Sequence, residues 1–425
     1  MKARRILIVL AALVFLFSGC SVPSSPSKNG DGNIVDLMAQ FGNASWPDPP
    51  ASLDSKFQKS LFNFSWELFL ESSRNDDNIL ISPASVYLAL GMAYNGADST
   101  TKQAIAEALR AKGISIEEFN TSCRDYISIL NTKGDKTELS IANAIWYRDG
   151  FRPDKDFLQK NADYFGAGAK ALDFNSPKAV ETINGWVREQ TRNTIDKIID
   201  QIDADVVMYL MNAVYFKSDW MEPFSASDTG KAFFYSDNGK VEAQFMNKTG
   251  SMNYIDKDGV KGIVLPYDNG RFNFFAIMPQ EGTDIRKFIE ELDGEKIFTY
   301  LMSIKTDRVQ LALPKFETRF EDSLKDELTR MGMGVAFDSN SADFSLMNED
   351  HEKNLFISEV KHKTYCRVDE KGTEAAAVTS IEMELTSALM PPEIRILFDR
   401  PFVYGIVDSV TQAPLFLGLM RNPTK

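Results

Sequence analysis

Side chains that could carry out catalysis are scarce in this 425-residue sequence, which contains two histidines and three cysteines. His351 and His362 belong to no H-E-x-x-H pair, and His362 lies between two lysines, a poor setting for a general base. The sequence also lacks a C-x-x-C pair, a G-x-x-x-x-G-K-[ST] phosphate loop and a G-x-S-x-G nucleophile motif. We therefore predict that the protein is not an enzyme, and we expect no metal and no cofactor.

The most regular pattern is a pair of alternating runs within residues 356–385, on either side of the turn D-E-K-G at residues 369–372. Apolar and polar side chains alternate with period two in both runs, which is typical of half-buried strands. A four-residue loop ending in Gly suits a hairpin, which would place Val368 opposite Thr373. The second run is unusual because it is long and begins with alanines at 375–377, which have no preference for strands. On periodicity alone, the segment is a long hairpin with an alanine-rich arm.

Residues 369–377 read D-E-K-G-T-E-A-A-A, and this segment closely resembles the hinge of the serpins. Its threonine followed by small residues is similar to the hinge of the inhibitory members of that family. The resemblance implies that the second run starts as an exposed bait loop, which a protease cuts and which then inserts into the main sheet as an extra strand. The alternation fits this role, because one face is ready for burial and the other suits water. The implied hinge residues are Glu370, Gly372, Thr373, Ala375, Ala376 and Ala377.

The resemblance also implies a reactive bond, the peptide bond that the protease attacks. In serpins this bond commonly follows the seventeenth residue counted from the hinge glutamate, which gives the bond between Thr386 and Ser387. Counting back from the two prolines at 391–392, as in relatives with a similar Pro-Pro-Glu, gives the bond between Ala388 and Leu389 instead. We predict the first bond and keep the second as the alternative.

The function implied by the resemblance is suicide-substrate inhibition of serine proteases, with cysteine proteases as a further option. The loop would be cleaved, the protease trapped as an acyl-enzyme in a covalent complex, and the loop inserted into the main sheet. Leu385, Thr386 and Ala388 are small or apolar, which suits an elastase-like or subtilisin-like target. The main alternative is a non-inhibitory serpin-like surface binding protein, and an unrelated structural lipoprotein is a third.

A group of residues outside the loop gains a role only from the resemblance. Ser82 and Ser85 stand at the start of a predicted apolar helix, where serine commonly caps the helix. The resemblance places them in the shutter, the region below the main sheet that parts during insertion, and adds Asn184 and His362 to its polar cluster. It places Trp220 in the breach, at the top of the sheet where the loop enters. Taken alone, an asparagine in a helix, a lone histidine and a tryptophan are ordinary surface, structural and core residues.

Helical and strand patterns follow one another in mixed order along the chain, which favours an α+β fold. For example, apolar residues recur at helical spacing over residues 57–73, residues 210–217 form an apolar strand, and residues 320–331 are predicted to be a helix. The resemblance extends from about residue 57 to residue 423. It implies a serpin-like fold: a large mixed central β-sheet with flanking helices, additional smaller sheets and an exposed reactive-centre loop. We therefore predict a single serpin domain over residues 51–425.

The start of the chain has the composition of an export signal. Three basic residues precede a run of twelve apolar residues, which is shorter than the about 20 needed to span a bilayer. Small residues directly before Cys20 resemble a bacterial lipobox, so we predict a lipoprotein signal peptide over residues 1–19 and a lipid on Cys20, with ordinary secretory cleavage as the alternative. Residues 20–50 are rich in Pro, Gly and Ser and are predicted to be a flexible tether, with a short helix over residues 34–41.

These features predict a secreted, membrane-anchored lipoprotein, on the bacterial cell surface or facing the periplasm. A net charge of −13 and a pI near 4.9 argue against non-specific binding to nucleic acid. We expect a monomer that touches the membrane only through Cys20. Two distant cysteines, Cys123 and Cys366, form no disulfide framework and are predicted to be buried thiols.

Overall fold

The fold is built from nine α-helices and two β-sheets in the part of the chain that the structure covers. The structure, a computed structural model, describes residues 35–36, 48–50, 52–74, 77–131, 136–268, 270–373 and 394–425. The helices are α1 Ser55–Ser72, α2 Pro83–Tyr94, α3 Ser99–Ala108, α4 Ile116–Leu130, α5 Lys155–Phe165, α6 Ala179–Gln190, α7 Ile285–Glu291, α8 Gly294–Leu301 and α9 Lys325–Leu328.

Sixteen strands make up the two sheets. They are β1 Val35–Asp36, β2 Ile79–Ile81, β3 Thr137–Arg148, β4 Gly168–Leu172, β5 Met208–Asp219, β6 Thr229–Ser236, β7 Gly239–Lys257, β8 Val260–Pro266, β9 Phe272–Met278, β10 Lys305–Pro314, β11 Phe316–Ser323, β12 Lys361–Val368, β13 Gly372–Thr373, β14 Ile394–Leu397, β15 Phe402–Asp408 and β16 Pro414–Met420. Short 3-10 or π turns lie at Ala226–Asp228, Thr329–Met333, Gly334–Phe337 and Ser345–Met347.

The first sheet, sheet A, has the order β1-β4-β3-β5-β13-β12-β11. Only β3 and β4 run parallel in it, so the sheet is mixed. The second, sheet B, has nine strands, with the path β14-β10-β7-β8-β9-β15-β16-β2 and β6 beside β7. Helices and strands in mixed order around a large mixed sheet confirm the predicted α+β class.

Helix α2 connects the two sheets, because it contacts β5 of sheet A and β16 of sheet B. The sequence starts this helix locally: the Ser82 hydroxyl accepts a hydrogen bond from the Ser85 amide, and proline occupies the first helical turn. All of its residues except Ala89 are buried, as expected for a helix that is apolar on every side.

Three sequence-based expectations fail, each for a physical reason. Residues 320–331 are not one helix: Phe316–Ser323 is a strand whose side chains alternate between buried and exposed, a period of two. Residues 356–360 are not a strand, because β11 ends where Ser323 pairs with Lys361 and offers no partner beyond that point. Residues 35–36 pair with β4 as strand β1, where a short helix was predicted.

The predicted hairpin register is confirmed, since Val368 pairs with Thr373. Below it, two hydrogen bonds attach β12 to the start of α2 and to β2. The Ser82 amide donates to Nε2 of His362 at 3.0 Å, and the Thr364 hydroxyl donates to the Leu80 carbonyl at 2.6 Å. His362 is buried, and this burial lowers its pKa to about 4, so the ring is neutral.

The neutral, buried His362 predicts sensitivity to acid. Unfolding restores the ordinary pKa of 6.5, so the unfolded chain takes up a proton that the folded protein excludes. The stabilisation is complete above pH 6.5 and is lost as the pH falls toward 4. Between pH 7 and pH 5, we expect this residue to lower the free energy of unfolding by about 2 kcal/mol.

Urea titration of the wild type and of His362→Gln at both pH values measures this contribution. Glutamine can still accept the hydrogen bond from the Ser82 amide, but it does not titrate. The wild type should therefore lose more stability on acidification than the variant. An equal loss in the two proteins would contradict the assignment.

Candidate functional site

The end of sheet A that carries β13 is the candidate functional site. Thr373 pairs with Ser218 of β5 on one side and with Val368 of β12 on the other, so β13 is a short strand between two long ones. Gly372 approaches β5 very closely: a Cβ at this position would lie 2.0 Å from the Ser218 carbonyl oxygen and 2.7 Å from Cα of Asp219. Only glycine fits this approach.

Thr373 is buried beside Tyr267, the residue that directly follows β8, and Tyr267 in turn contacts Trp220, which directly follows β5. The Thr373 hydroxyl is 2.6 Å from the hydroxyl of Tyr267, and the Tyr267 ring stacks on Trp220 with centroids 4.6 Å apart. Burial raises the pKa of Tyr267 well above its ordinary value, so this phenol stays neutral. The Thr373 hydroxyl is therefore buried and satisfied by the hydroxyl of Tyr267.

The turn before Thr373 is fixed mainly through its carbonyl groups. Trp220 donates twice, from its backbone amide to the Lys371 carbonyl at 2.6 Å and from Nε1 to the Asp369 carbonyl at 2.8 Å. The Phe224 amide donates to the Glu370 carbonyl at 2.8 Å. These bonds place Trp220 beside the hinge and hold the turn against the end of β5.

The Glu370 carboxylate connects the turn to sheet B. Nζ of Lys315 lies 2.7 Å from one of its oxygens, and the Thr229 hydroxyl donates to the other at 2.8 Å. Burial acts to raise the pKa of Glu370, but the hydrogen bonds from Lys315 and Thr229 outweigh it, and the pKa lies below its ordinary value. The carboxylate is thus ionised at neutral pH and held on two sides.

Beyond β13, the two long strands separate. In the described part of sheet A, β5 and β12 are joined only through β13, so each has one edge without a backbone partner below it. A cavity of about 420 Å³ occupies this gap, which we call the slot. Both strands line it, together with residues 354–360 and the first turns of α2. Its apolar lining includes Phe344, Met347, Leu355 and Ile357.

The slot also has a polar patch, only part of which was predicted. Ser82, Ser85 and His362 line the slot, as does Asn212, which was not predicted. Nδ2 of Asn212 donates to Oδ1 of Asn143 at 2.7 Å, whereas its own Oδ1 is buried and has no partner among the described residues. A single asparagine in an otherwise apolar strand was the signal that could have revealed it.

Asn184 must be corrected, because the structure does not bring it to this patch. It lies on α6, and its side chain binds the loop that follows the helix. Oδ1 accepts from the amides of Ile198 and Ile199 at 2.8 and 3.1 Å, and Nδ2 donates to the Ile199 carbonyl at 2.8 Å. Both polar atoms of its side chain are used there, so Asn184 itself does not line the slot, although the loop residues that it binds, Ile198 and Ile199, do.

Several predicted residues lie outside the described part of the chain: Cys20, Ala375, Ala376, Ala377, Thr386, Ser387, Ala388 and Leu389. Within the described part, no group of three His, Cys, Asp or Glu residues could hold a metal ion. None of the helices seen there combines the length and apolarity needed to cross a membrane. Cys123 and Cys366 are both buried, and no disulfide joins them.

Sequence comparison identifies relatives over almost the whole chain. The family model described as "Serpin (serine protease inhibitor)" matches residues 59–423. An uncharacterized serpin-like protein of Thermococcus kodakarensis is 30% identical over 99% of both chains. The human leukocyte elastase inhibitor is 29% identical over 85% of this chain and 97% of its own.

Structural comparison gives the same answer. The thermophilic serpin tengpin in its native state superimposes with a TM-score of 0.84 at 36% identity, covering 92% of this chain and 99% of its own. In its latent state the same protein superimposes with a TM-score of 0.76, covering 87% of this chain and 98% of its own. With its mixed sheet, its hinge strand and its sequence matched from residue 59 to residue 423, this chain belongs to the serpin family.

Proposed function

We propose that this protein is a suicide-substrate inhibitor of serine proteases that works by inserting its cleaved loop into sheet A. One observation carries the proposal: the slot lies between the same two strands, β5 and β12, that flank β13, the last described strand before the loop. A strand that extends from Thr373 into the slot would supply both edges with backbone partners.

The observed pairs set the register of such a strand. Because Thr373 pairs with Ser218 and Val368 in antiparallel fashion, each step along the loop moves one residue back along both neighbours. In this register the alternate residues share the buried face of Thr373. These residues are Thr373, Ala375, Ala377, Thr379, Ile381, Met383 and Leu385.

The small residues come first in this order and the large ones last. The alanines can pass between two strands with little steric resistance, whereas Ile381, Met383 and Leu385 reach the apolar lining of the slot. Burial of each large side chain stabilises the inserted form by about 1.5–3 kcal/mol. New backbone hydrogen bonds add about 0.5–1.5 kcal/mol each. The uncut protein is then a kinetically trapped state that cleavage releases.

The protease carries out the catalysis, and the inhibitor supplies the peptide bond that is cleaved. The protease's serine Oγ attacks the carbonyl carbon of Thr386, an ester forms, and the amine of Ser387 leaves with a proton. Insertion of residues 374–385 then carries the acylated protease by about 40 Å along sheet A. The protease is pulled against the body of the inhibitor, which distorts its active site and stops hydrolysis of the ester.

The target and the setting are part of the proposal. Small and apolar residues around the reactive bond favour an elastase-like or subtilisin-like enzyme, and similarity to the human leukocyte elastase inhibitor agrees with this. Cleavage between Ala388 and Leu389 and trapping of cysteine proteases are the secondary options. We further propose a monomer that is exported, carries a lipid on Cys20 and is exposed outside the cytoplasm.

Mixing the chain from residue 48 onward with elastase, and separately with subtilisin, tests the function. We expect a band stable in SDS whose mass equals the sum of the two proteins minus the released peptide 387–425, because the ester survives denaturation. Mass spectrometry of the released peptide should show that it starts at Ser387. Cleavage of the loop without any covalent complex, with every protease tried, would favour the non-inhibitory binding protein instead.

Thr373→Arg should convert the inhibitor into a substrate. Thr373 is 3% exposed, contacts Tyr267 and is already paired in sheet A, so an arginine there would expel this residue from the sheet and remove the strand end from which insertion proceeds. We expect the fraction of protease trapped in the covalent complex to fall at least tenfold, with cleavage of the loop retained. Thr373→Ser keeps the hydroxyl and is the matched control. Complex formation by the arginine variant at the wild-type level would contradict insertion.

Thr379→Val should weaken only the cleaved form. The register places Thr379 between Asn212 and His362, where its hydroxyl can donate to the unpartnered Oδ1 of Asn212. Valine has the same shape and leaves that oxygen buried and unbonded, at a cost of about 1–3 kcal/mol.

Thermal melting of intact and nicked protein measures this difference. We expect the nicked wild type to melt above the intact protein, and Thr379→Val to reduce that gap. Ser380→Val, on the opposite face of the strand, is the control. A nicked wild type that melts no higher than the intact protein would refute the register and the insertion together.

A further inference from the structure

The outer edge of sheet A is covered by a segment from the N-terminal tether. Strand β1 pairs antiparallel with β4, with Val35 opposite Ala171 and Asp36 opposite Lys170. The other side of β4 pairs with β3, so β1 pairs with two residues of a strand that would otherwise be an edge. The tether therefore has a defined partner on the domain.

The two edges of sheet A differ in how they are protected against pairing with a further strand. On β11, exposed charged residues alternate along the strand: Glu317, Arg319 and Glu321. Such charges discourage a further strand from pairing. On β4, Gly168–Leu172 reads G-A-K-A-L and has one charge, on Lys170, whose Nζ lies 5.3 Å from the centre of the Trp146 ring. This edge therefore has almost no charges that would discourage a further strand from pairing, and β1 occupies it.

The position of β1 along the sheet is set by the pairing of its neighbours. Val35 pairs with Ala171, which pairs with Tyr147 of β3, so Val35 lies at the level of Tyr147. The hinge residue Thr373 pairs with Ser218, which pairs with Thr137 of β3, so the hinge lies at the level of Thr137. Ten residues of strand separate the two levels, which is about 33 Å. Because β1 runs antiparallel to β4, the chain enters β1 from the end of the sheet that is farthest from the hinge.

We propose that β1 is a docking strand that orients the domain on its tether, so that the hinge and the reactive loop point away from the attachment point at Cys20. From Cys20 to Val35 there are fifteen residues, which reach at most about 50 Å. A docked tether thus holds the hinge-distal end of sheet A toward the membrane. The loop is left facing outward, where a soluble protease can bind it.

The docking rests on the observed pairing alone, whereas its consequence for the loop rests on the proposed lipid anchor and inhibitory function. The tests therefore use neither the lipid nor a protease, so a failure of the docking is distinguishable from a failure of the function.

Disulfide trapping in the chain starting at residue 20, with Cys20→Ser, tests the docking. Facing residues in an antiparallel pair have Cα atoms about 4.5–5.5 Å apart, within the range of a disulfide. Asp36→Cys with Lys170→Cys should form an intramolecular disulfide on mild oxidation, and Asp36→Cys with Asn175→Cys should not. Equal rates in both pairs would overturn the docking. So would a dimer linked through Lys170→Cys of two copies, which would show that another copy occupies the edge.

Energy transfer to a membrane tests the orientation. The same chain, held on nickel-chelating vesicles by an N-terminal histidine tag, carries a donor dye on Asp205→Cys, near the hinge-distal start of β5, or on Ser227→Cys, beside the hinge. An acceptor lipid should quench the dye at position 205 more strongly than the dye at position 227. Val35→Pro with Asp36→Pro removes both backbone donors and should abolish the difference.

Lys28→Pro with Asn29→Pro, in the tether but outside β1, is the matched control and should keep the difference. Equal quenching at the two positions in the control would overturn the proposed orientation. A difference that survives the prolines in β1 would show that something other than the docking strand orients the domain.

Discussion

An incomplete sheet is the constraint on which this structure depends. In the described chain, β5 and β12 lie on either side of the slot and are connected through only two residues of β13. Unpaired backbone groups inside a protein are costly. Under the proposed function, free energy is stored in the missing strand pairs between β5 and β12 until a further strand supplies them.

The hinge is where this stored free energy is controlled, and every contact there has a separate physical role. Gly372 allows the backbone to approach β5, and the Tyr267 hydroxyl binds that of Thr373. Trp220 donates to two carbonyls of the turn, and the Glu370 carboxylate connects the turn to sheet B. The hinge has therefore already entered the sheet by two residues, with the register of further insertion defined. In the proposed mechanism, a strand released by cleavage beyond the hinge would lengthen from this existing end and would need no new nucleus.

Local patterns predicted the parts of this arrangement that depend on neighbours in sequence. Period-two alternation around residues 369–372 gave the pairing of Val368 with Thr373. Asn212 was not predicted because its role depends on β12, a strand distant in sequence that lies across the slot from it. Asn184 was misplaced for the converse reason, since a nearby loop satisfies it. Strand β1 pairs with a sheet edge that lies more than 130 residues away in the sequence, and local periodicity carries no information about so distant a partner.

The close approach at Gly372 has a consequence for how this gene can vary. The residue binds no ligand and donates no side-chain bond, yet even a methyl group there would overlap the Ser218 carbonyl. Mutational tolerance at this codon is consequently set by geometry alone. Every missense allele would displace the hinge from the sheet, whatever the chemistry of the new side chain.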